Sequence, residues 1–477
     1  MAMPLPNDGL LLVVKRDCPT CQLIAPVARD LAQRGLLAGL FSQDDPDFPE
    51  GLQVIDDREL EASFALDVEI VPSLIRRQGG HDAGRAIGWH RGEWQNLSGI
   101  DGLGADLPDE RPGCGSLSVA PGMAEELLVR FGETGIRARD VEVHFPEDPV
   151  EQMFDRGWTD GLPVVPPTPA RVLRMLAGTS RAPGDIVGAI PPGFETCTVE
   201  KAAINAVMAG CRPDYLPVVL AALDAALDPD FAWSGLLSTT MGAGVAVLVN
   251  GPIAKRIGMN AGLNALGHGN RANSTIARAL QLIAINVGGA APGGVDRSTL
   301  GHPGKRGMAF AEDESDPAWQ PLAVARGLQP GTSAVTVFGF CGTSINNDEK
   351  ARDAEGLTGS IATCLNTTYH PRFAGGGIGA MLVLSGEYWR IYRGSGWDRA
   401  RIETALHEAT RRPPDKVEQG YVGVHEGGDE TGLVAKFAPG DLLVVRAGST
   451  AGLFSTIIQG WGSGPRGSQP VTREVIP

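Results

Sequence analysis

The sequence predicts an α/β protein built from more than one domain. The first observation is an apolar run at residues 10–14, typical of a buried strand, followed by apolar residues at helical spacing from Leu23 to Leu31. The second is that strand-like and helix-like runs continue to alternate along the chain. The third is the length, because 477 residues are too many for one hydrophobic core. We therefore expect a small N-terminal α/β domain and a large C-terminal α/β region with two lobes.

The composition argues against several classes of partner. The net charge of -15 disfavours nucleic acids and anionic membranes, because both attract surfaces rich in lysine and arginine. No apolar run approaches the length of a membrane-spanning helix, and residues 1–9 lack the basic segment of a secretion signal. Seven cysteines spread along the chain are typical of reduced thiols. We expect a cytoplasmic protein that binds neither nucleic acid nor membrane.

Changes of composition suggest four segments. Residues 1–105 form the predicted N-terminal domain, and residues 106–148 form a linker, which begins in a stretch rich in Gly, Pro, Asp and Ser. Residues 149–335 and 336–477 are the two predicted α/β lobes. A weak internal similarity between two strand-turn-helix units favours a cleft between these lobes.

The N-terminal segment carries a pair of cysteines where a strand gives way to a helix. Cys18 and Cys21 are three residues apart, close enough to form a disulfide. Backbone N–H groups and the positive end of the helix dipole favour a thiolate at the first position, so Cys18 is the expected attacking sulfur and Cys21 the resolving one. A zinc site would need a second pair of ligands, and the sequence has no other Cys-x-x-Cys motif. We therefore expect redox chemistry, with no metal and no cofactor.

Two stretches near this pair resemble the thioredoxins. Cys-Gln-Leu-Ile-Ala-Pro at residues 21–26 is similar to the kinked helix that follows the thioredoxin cysteines. Glu-Ile-Val-Pro-Ser-Leu at residues 69–74 is similar to the segment whose cis-proline faces them. The resemblance implies a thioredoxin-like fold for the N-terminal domain, with Pro72 supporting the redox site. Asp17 stands where thioredoxins usually have tryptophan, and its carboxylate is expected to oppose ionisation of Cys18.

A third cysteine lies in the predicted linker. Cys114 is flanked by glycines, so we expect it to be exposed and mobile, and Arg111 would favour its thiolate. Such a thiol is suited to carry electrons from the redox pair to a second site. The alternative is a loop cysteine without a chemical role.

Several motifs of the large region carry a second resemblance. They lie at residues 158–168, 198–217, 264–275 and 471–475. Together they resemble a poorly characterised bacterial family associated with UGSC-type selenoproteins, named for a selenocysteine-Gly-Ser-Cys motif. Cys-Gly-Ser at residues 114–116 matches three positions of that motif, with sulfur in place of selenium, and Leu117 stands where the final cysteine would be. The family has no settled reaction, so this resemblance implies no substrate.

Two glycine-rich loops of the large region predict an anion site. The loop at residues 267–271 runs into a helix, whose N–H groups together with Arg271 would hold a carboxylate or phosphate. A second loop at residues 301–306 lacks the spacing of a P-loop. The predicted substrate-binding residues are Asn264, His268, Arg271, Asn273 and Lys305. The alternative for the first loop is an ordinary turn.

Six further residues are catalytic candidates: Cys197, Glu200, Lys201, Cys211, Cys341 and His370. Cys197 and Cys211 each precede a predicted helix, and Cys341 follows a strand at the end where α/β sheets bind ligands. Glu200 and Lys201 would form an acid–base pair, and His370, near the glycine run at residues 375–377, would be a general base. The alternatives are buried inert thiols, a helix-capping glutamate and a surface histidine.

These observations lead to three functional hypotheses. In the first, a cellular thiol reductant supplies electrons to Cys18 and Cys21, which pass them through Cys114 to a reaction on a small anionic organic substrate in the large region. In the second, the cysteines relay a sulfane sulfur, which makes the protein a sulfur transferase or a C–S bond enzyme. In the third, the chain is a thiol sensor or ligand-binding protein without turnover. The sequence leaves open whether the chain forms a homo-oligomer.

Overall fold

The computed structural model describes residues 3–143, 146–373, 378–417, 432–462 and 467–476. The chain divides into two compact units, Met1–Gly135 and Ile136–Pro477. Both contain helices and sheets, so the α/β class is confirmed. Among the described residues, no helix is both long and apolar enough to cross a membrane.

The N-terminal unit is built on a mixed five-stranded sheet with the strand order β3-β2-β1-β5-β6. β1 pairs in parallel with β2 and antiparallel with β5, so it is central. Its residues are buried except the first, which explains the uninterrupted apolar run. The elements of this unit are β1 Gly9–Val14, α1 Pro19–Leu23, α2 Ala25–Gln33, β2 Leu37–Ser42, β3 Ile55–Asp56, α3 Glu61–Ala65, β4 Ile70–Val71, β5 Ser73–Gln78, β6 His81–Ile87, β7 Trp89–His90, α4 Arg91–Ser98, β8 Glu110–Arg111, β9 Cys114–Gly115 and α5 Met123–Phe131.

The first unit extends past the predicted domain boundary near residue 105. β8 pairs with β7, β9 pairs with β4, and α5 packs on α3. The segment predicted to be a linker is therefore largely part of this unit. Its many Gly and Pro residues conceal the pairing, because strands of two residues leave no periodic pattern in a sequence.

The C-terminal unit contains a sheet of seven described strands in the order β13-β12-β14-β17-β15-β16, with β18 paired to β14. β14 spans the boundary predicted at residue 335, so strands from both predicted lobes belong to this one sheet. The elements are α6 Pro149–Asp155, α7 Pro169–Leu176, β10 Ile186–Ile190, β11 Glu195–Thr198, α8 Val199–Ala209, α9 Leu216–Ala226, α10 Trp233–Ser238, β12 Gly244–Asn250, α11 Pro252–Arg256, α12 Arg271–Asn286, β13 Met308–Ala311, α13 Leu322–Ala325, β14 Ala334–Asn347, α14 Ala354–Asn366, β15 Ala380–Leu384, α15 Gly386–Gly394, α16 Arg399–Ala409, β16 Leu442–Arg446, β17 Phe454–Gly460 and β18 Val471–Glu474.

The strands of this sheet bury both faces. Along β12, Val245 and Val247 belong to a core formed mainly with α7, α8, α9 and α12, whereas Ala246 and Leu248 belong to a second core on the opposite face. The alternation follows from the two-residue period of a strand. α12 packs on α8 and on β13, so it joins the helices to the sheet.

Candidate functional site

Cys18 occupies the N-cap position of α1. Its backbone is extended, Pro19 follows in the first turn, and the backbone N–H of Cys21 lies 3.4 Å from the Cys18 sulfur. Pro19 has no N–H to leave unsatisfied at this position. The sulfur therefore takes the place that an oxygen fills in most helix caps, at the positive end of the helix.

The surroundings of Cys18 stabilise its thiolate. The net effect of its neighbours lowers the pKa of Cys18 to about 5, and hydrogen bonding from the Cys21 thiol is the largest cause of this shift. Burial opposes this shift, whereas the thiol of Cys114 and the backbone N–H groups of Thr20 and Cys21 add to it. Asp17, whose carboxylate the sequence predicts to oppose ionisation of Cys18, is not among the main causes of the shift.

Cys21 has the opposite character. Burial, followed by the hydrogen bond to Cys18, raises the pKa of the Cys21 thiol well above its ordinary range. The side chain is fully buried, and the backbone N–H of Lys15 lies 3.5 Å from its sulfur. The pKa of Cys18 is thus lowered and that of Cys21 raised, and their roles as attacking and resolving sulfur stay predictions.

Pro72 and the short strand before it form one wall of the cysteine site. The Val71–Pro72 peptide bond is cis, as predicted. The Cys18 sulfur lies 3.6 Å from the carbonyl oxygen of Val71. β4 therefore lies next to the Cys18 sulfur, and its backbone pairs with one further strand.

That further strand carries Cys114. β9 pairs antiparallel with β4, which places Cys114 opposite Val71 and Gly115 opposite Ile70. Cys114 is half-buried and close enough to hydrogen-bond with Cys18. Cys114 is therefore less exposed than predicted, because β9 pairs with β4 beside Cys18.

The hydrogen bond to Cys18 has the largest effect on the pKa of the Cys114 thiol. The hydrogen bond to Cys18, together with burial, raises the pKa of Cys114, although Lys15 and Arg111 act in the opposite direction. The predicted effect of Arg111 is therefore present but outweighed. In this site Cys18 is the thiolate, and Cys21 and Cys114 are its two thiol neighbours.

Several contacts hold the Cys114 segment in place. The Thr20 hydroxyl donates to the carbonyl of Pro112 at 2.6 Å, and the Lys15 ammonium donates to the carbonyl of Gly115 at 2.9 Å. Gly113 has no room for a side chain, because a Cβ atom there would lie 2.6 Å from the carbonyl oxygen of Val71. Close backbone approach therefore requires glycine at residue 113.

A buried polar network fixes the other end of this segment. The Gln43 amide donates to the hydroxyls of Ser63 and Ser116 at 2.7 and 2.6 Å, and its oxygen accepts from the backbone N–H of Leu117 at 3.0 Å. The Ser118 hydroxyl continues the network to the carbonyl of Val68. Gln43 is 1% exposed, so the loss of these bonds would leave buried polar groups unpaired. Sequence analysis missed this residue, because an isolated glutamine carries no signal.

Of the candidate acid–base pair in the large unit, Glu200 has a structural role. The buried Glu200 carboxylate accepts hydrogen bonds from the backbone N–H groups of Arg137 and Ala138, the shortest of which is 2.7 Å long. Lys201 is exposed and donates to the carbonyl of Thr196 at 2.6 Å. Glu200 therefore binds backbone N–H groups outside its own helix, a structural role that differs from the helix capping given as the alternative.

The predicted cysteines of the large unit are deactivated by burial. Burial raises the pKa of Cys197 to about 11, that of Cys211 to about 12 and that of Cys341 to about 11. Each sulfur contacts a carbonyl oxygen, of Thr198, Thr275 and Gly460 respectively. Burial, and not these contacts, is the largest cause of the raised pKa of each thiol.

The polar side chains of the predicted anion loop hydrogen-bond to backbone groups of the protein. The Asn264 amide donates to the carbonyl of His268, and the Arg271 guanidinium donates to the carbonyl of Gly210 at 2.8 Å. Asn273 is buried and bonds to the backbone of Asn260 and Ala265. These contacts favour the ordinary-turn alternative.

The remaining candidates have local partners. Lys305 pairs with the Asp296 carboxylate at 2.7 Å and with the Ser298 hydroxyl. The ring of His370 accepts from the backbone N–H of Arg372 at 3.2 Å. The glycine run at residues 375–377 lies outside the described residues. Within the described part of the chain, no group of three or more His, Cys, Asp or Glu side chains could hold a metal ion.

Comparisons of the chain with models of protein families, with curated proteins and with solved structures found no match.

Proposed function

We propose that this chain is a thiol–disulfide oxidoreductase whose N-terminal unit carries a three-cysteine exchange centre. The observation that supports it is the environment of Cys18, whose pKa is lowered to about 5 with hydrogen bonds from the Cys21 and Cys114 thiols among the causes. A thiolate of this kind is the nucleophile of disulfide exchange.

The exchange with a substrate disulfide takes two steps. The Cys18 thiolate attacks one substrate sulfur, a mixed disulfide forms, and the other substrate sulfur leaves as a thiolate. Cys21 then loses its proton and attacks the Cys18 sulfur, so the second substrate sulfur leaves and a Cys18–Cys21 disulfide remains. The substrate gains two electrons and the cysteine pair loses two.

The charge on Cys18 controls the timing of the second step. While Cys18 is a thiolate, its charge and hydrogen bond help to keep the pKa of Cys21 high. That charge disappears once Cys18 is part of a mixed disulfide. Cys21 then ionises more easily, at the moment when a resolving thiolate is needed.

Cys114 provides an internal exchange partner. Its thiolate attacks the Cys18 sulfur of a Cys18–Cys21 disulfide, which forms a Cys18–Cys114 disulfide and releases Cys21 as a thiolate. This step has no net oxidation, so it needs no further oxidant. A cellular thiol reductant would regenerate the three thiols at the expense of one disulfide.

The proposal is supported by the strand order of the first unit, by the helix that begins at Cys18 and by cis-Pro72, all of which fit the resemblance to thioredoxins. Transfer of electrons to a small anionic organic substrate in the large unit stays a prediction. The buried thiols of that unit do not favour it, because each has a raised pKa.

The test is to trap the internal disulfides and identify them by mass spectrometry. Reduced full-length protein is oxidised with a limiting amount of a small disulfide, and the remaining thiols are alkylated. We expect Cys18–Cys21 in the wild type, Cys18–Cys114 in the Cys21→Ser variant and Cys18–Cys21 in the matched control Cys197→Ser. Absence of any Cys18 disulfide would overturn the proposal. An extra sulfur atom on Cys18 of the protein as isolated, before reduction, would favour the sulfur-transfer hypothesis instead.

A further inference from the structure

The Cys114 segment, residues 112–115, lies against the reduced cysteine pair. β9 belongs to this segment and pairs with β4, whose Val71 carbonyl oxygen is 3.6 Å from the Cys18 sulfur. The Cys114 side chain packs on the hydrophobic core that contains Cys18 and Cys21. Cys18 itself is 0% exposed. The segment is therefore part of the structure that separates this sulfur from solvent.

Apart from the cysteines, the described contacts that hold the segment are weak. β9 and β4 have two residues each, and strands this short pair weakly on their own. The hydrogen bond from the Lys15 ammonium to the carbonyl of Gly115 is exposed, so water competes for both groups. The Thr20 hydroxyl holds the other end at Pro112. We therefore expect the paired and the separated segment to be close in free energy, so that one further interaction decides between them.

The residue that follows the segment is anchored independently of the cysteines. The backbone N–H of Ser116 donates to the carbonyl of Glu69 at 2.8 Å, and the hydroxyl of Ser116 accepts from the buried Gln43 amide at 2.6 Å. An opening would thus be local, confined to residues 112–115 with Ser116 as its hinge.

The Cys114 thiol adds an interaction that depends on the state of Cys18. In the reduced protein this thiol donates a hydrogen bond to the Cys18 thiolate. A hydrogen bond to a charged acceptor is stronger than one to a neutral acceptor. The thiolate therefore stabilises the paired segment.

Oxidation removes that interaction. When a small disulfide oxidises the pair, a bond forms between the Cys18 and Cys21 sulfurs, and the S–S bond of the small disulfide breaks. Two electrons pass to the small disulfide, which leaves as one thiolate and one thiol that carries the Cys21 proton. The Cys18 sulfur is now neutral, so the charge-assisted hydrogen bond from Cys114 is lost.

We propose that the Cys114 segment is a redox switch, paired with β4 while Cys18 is a thiolate and separated from β4 once the Cys18–Cys21 disulfide forms. The switch rests on the proposed oxidoreductase function, because it requires that disulfide. Its effect is to shield the reduced thiolate and to expose the disulfide to the thiol reductant that regenerates it.

The experiment measures hydrogen exchange of the backbone N–H groups of residues 113–115 in the full-length protein. Mass spectrometry first identifies the disulfide in a sample oxidised with 2-hydroxyethyl disulfide. We expect exchange in the Cys18–Cys21 form to be about tenfold or more faster than in the reduced protein, with exchange in α9 unchanged. Equal or slower exchange would overturn the switch. A Cys18–Cys114 disulfide as the main wild-type product would overturn it too, because that bond ties the segment to Cys18.

Variants assign the effect to the two sulfurs. Cys114→Ala removes the thiol donor, so its reduced and oxidised forms should exchange at the same rate. Cys114→Ser keeps a donor and should retain part of the difference, and the control Cys197→Ala should retain all of it. Reduced Cys18→Ser lacks the thiolate and should exchange about as fast as the oxidised wild type. A full redox difference in Cys114→Ala, or slow exchange in Cys18→Ser, would contradict the switch.

Failure of the switch can be told from failure of the proposed function. If no Cys18 disulfide forms, the oxidoreductase function and the switch both fail. If the Cys18–Cys21 disulfide forms and exchange at residues 113–115 stays unchanged, the function stands and only the switch fails.

Discussion

Cys18 and Cys197 both lie at the start of a helix, yet their chemistry is opposite. Cys18 is itself the N-cap of α1, and its sulfur faces a backbone N–H group, the Cys21 thiol and the Cys114 thiol. Cys197 stands one residue before the cap of α8, where Thr198 is the capping residue. Its sulfur contacts the Thr198 carbonyl oxygen, and burial raises its pKa to about 11.

The comparison shows that proximity to a helix end does not activate a thiol. Both cysteines are fully buried, and burial alone disfavours a thiolate. Hydrogen-bond donors outweigh burial at Cys18, and the described contacts of Cys197 provide none. A reactive cysteine is therefore recognised by the donors that surround its sulfur.

The largest expected effect comes from removing the activated sulfur. In Cys18→Ser, reduction of a small peptide disulfide by the prereduced protein should slow by about three orders of magnitude or more, because the nucleophile is lost. Single-turnover kinetics with alkylation of the products measures this rate. A loss of similar size in Cys197→Ser would remove the distinction between the two helix ends.

The second effect depends on the close approach of β9 to β4. In Gly113→Ala the new methyl group would meet Val71 and Ile70, so the strand pair should separate. We expect the Cys18–Cys114 disulfide trapped in a Cys21→Ser background to fall about tenfold or more. Gly115→Ala is the matched control, since a Cβ atom there meets nothing within 4 Å. Equal yields in the two variants would show that pairing with β4 does not position Cys114.

The pKa of Cys18 should respond to each neighbour in order of its contribution. Removing the Cys21 thiol in Cys21→Ala should raise the pKa of Cys18 by about one pH unit or more, and Cys114→Ala should raise it less. Ultraviolet absorbance of the thiolate, titrated against pH, measures both values. A larger effect of Cys114→Ala would reverse the roles of the two thiols.

The same shift makes the stability of the reduced protein depend on pH. The folded pKa of Cys18 is about 5, below the 9.0 of an ordinary thiol, so the thiolate stabilises the folded state at high pH. That contribution should decrease as the pH falls from 9 and vanish below about 5. The unfolding free energy measured with urea should therefore decrease more on acidification in the wild type than in Cys18→Ser.

A smaller effect is expected at the buried network. Gln43→Leu removes one hydrogen bond each from Ser63 and Ser116 and the side-chain acceptor of the Leu117 N–H, which should cost about 1–3 kcal/mol of unfolding free energy. Urea unfolding followed by tryptophan fluorescence is the measurement. Gln22→Leu is the control, because Gln22 is exposed and its amide makes a single bond to the Arg16 carbonyl. Equal losses of unfolding free energy in the two variants would indicate that the buried network does not stabilise the fold more than a single exposed hydrogen bond does.

The smallest effect should appear at the buried thiols of the large unit. Cys341→Ala should change the rate of disulfide exchange by less than about twofold, since burial keeps this thiol neutral near pH 7. The kinetic assay used for Cys18→Ser applies here as well. A marked loss would instead give this cysteine a part in the reaction.

Local sequence patterns predict the surroundings of Cys18 and Cys21 well, because these elements are neighbours in the chain. The apolar run of β1 and the helix that begins after Cys18 follow from local patterns, whereas the cis bond before Pro72 follows from the resemblance to thioredoxins. Cys114 could not be placed, since its position depends on two pairs of residues from distant segments. The side chains of Asn205 and Asn286 hydrogen-bond although they lie 81 residues apart, so this contact leaves no trace in the sequence.

The fully buried state of Cys18 has a kinetic consequence. If the proposed function holds, we expect a disulfide to reach this sulfur only during local openings, such as separation of β9 from β4, and a bulky disulfide to need the wider opening. The observed rate then equals the intrinsic rate multiplied by the fraction of time spent open. Size selection among oxidants would thus arise from the equilibrium of a two-residue strand pair, without any dedicated recognition surface.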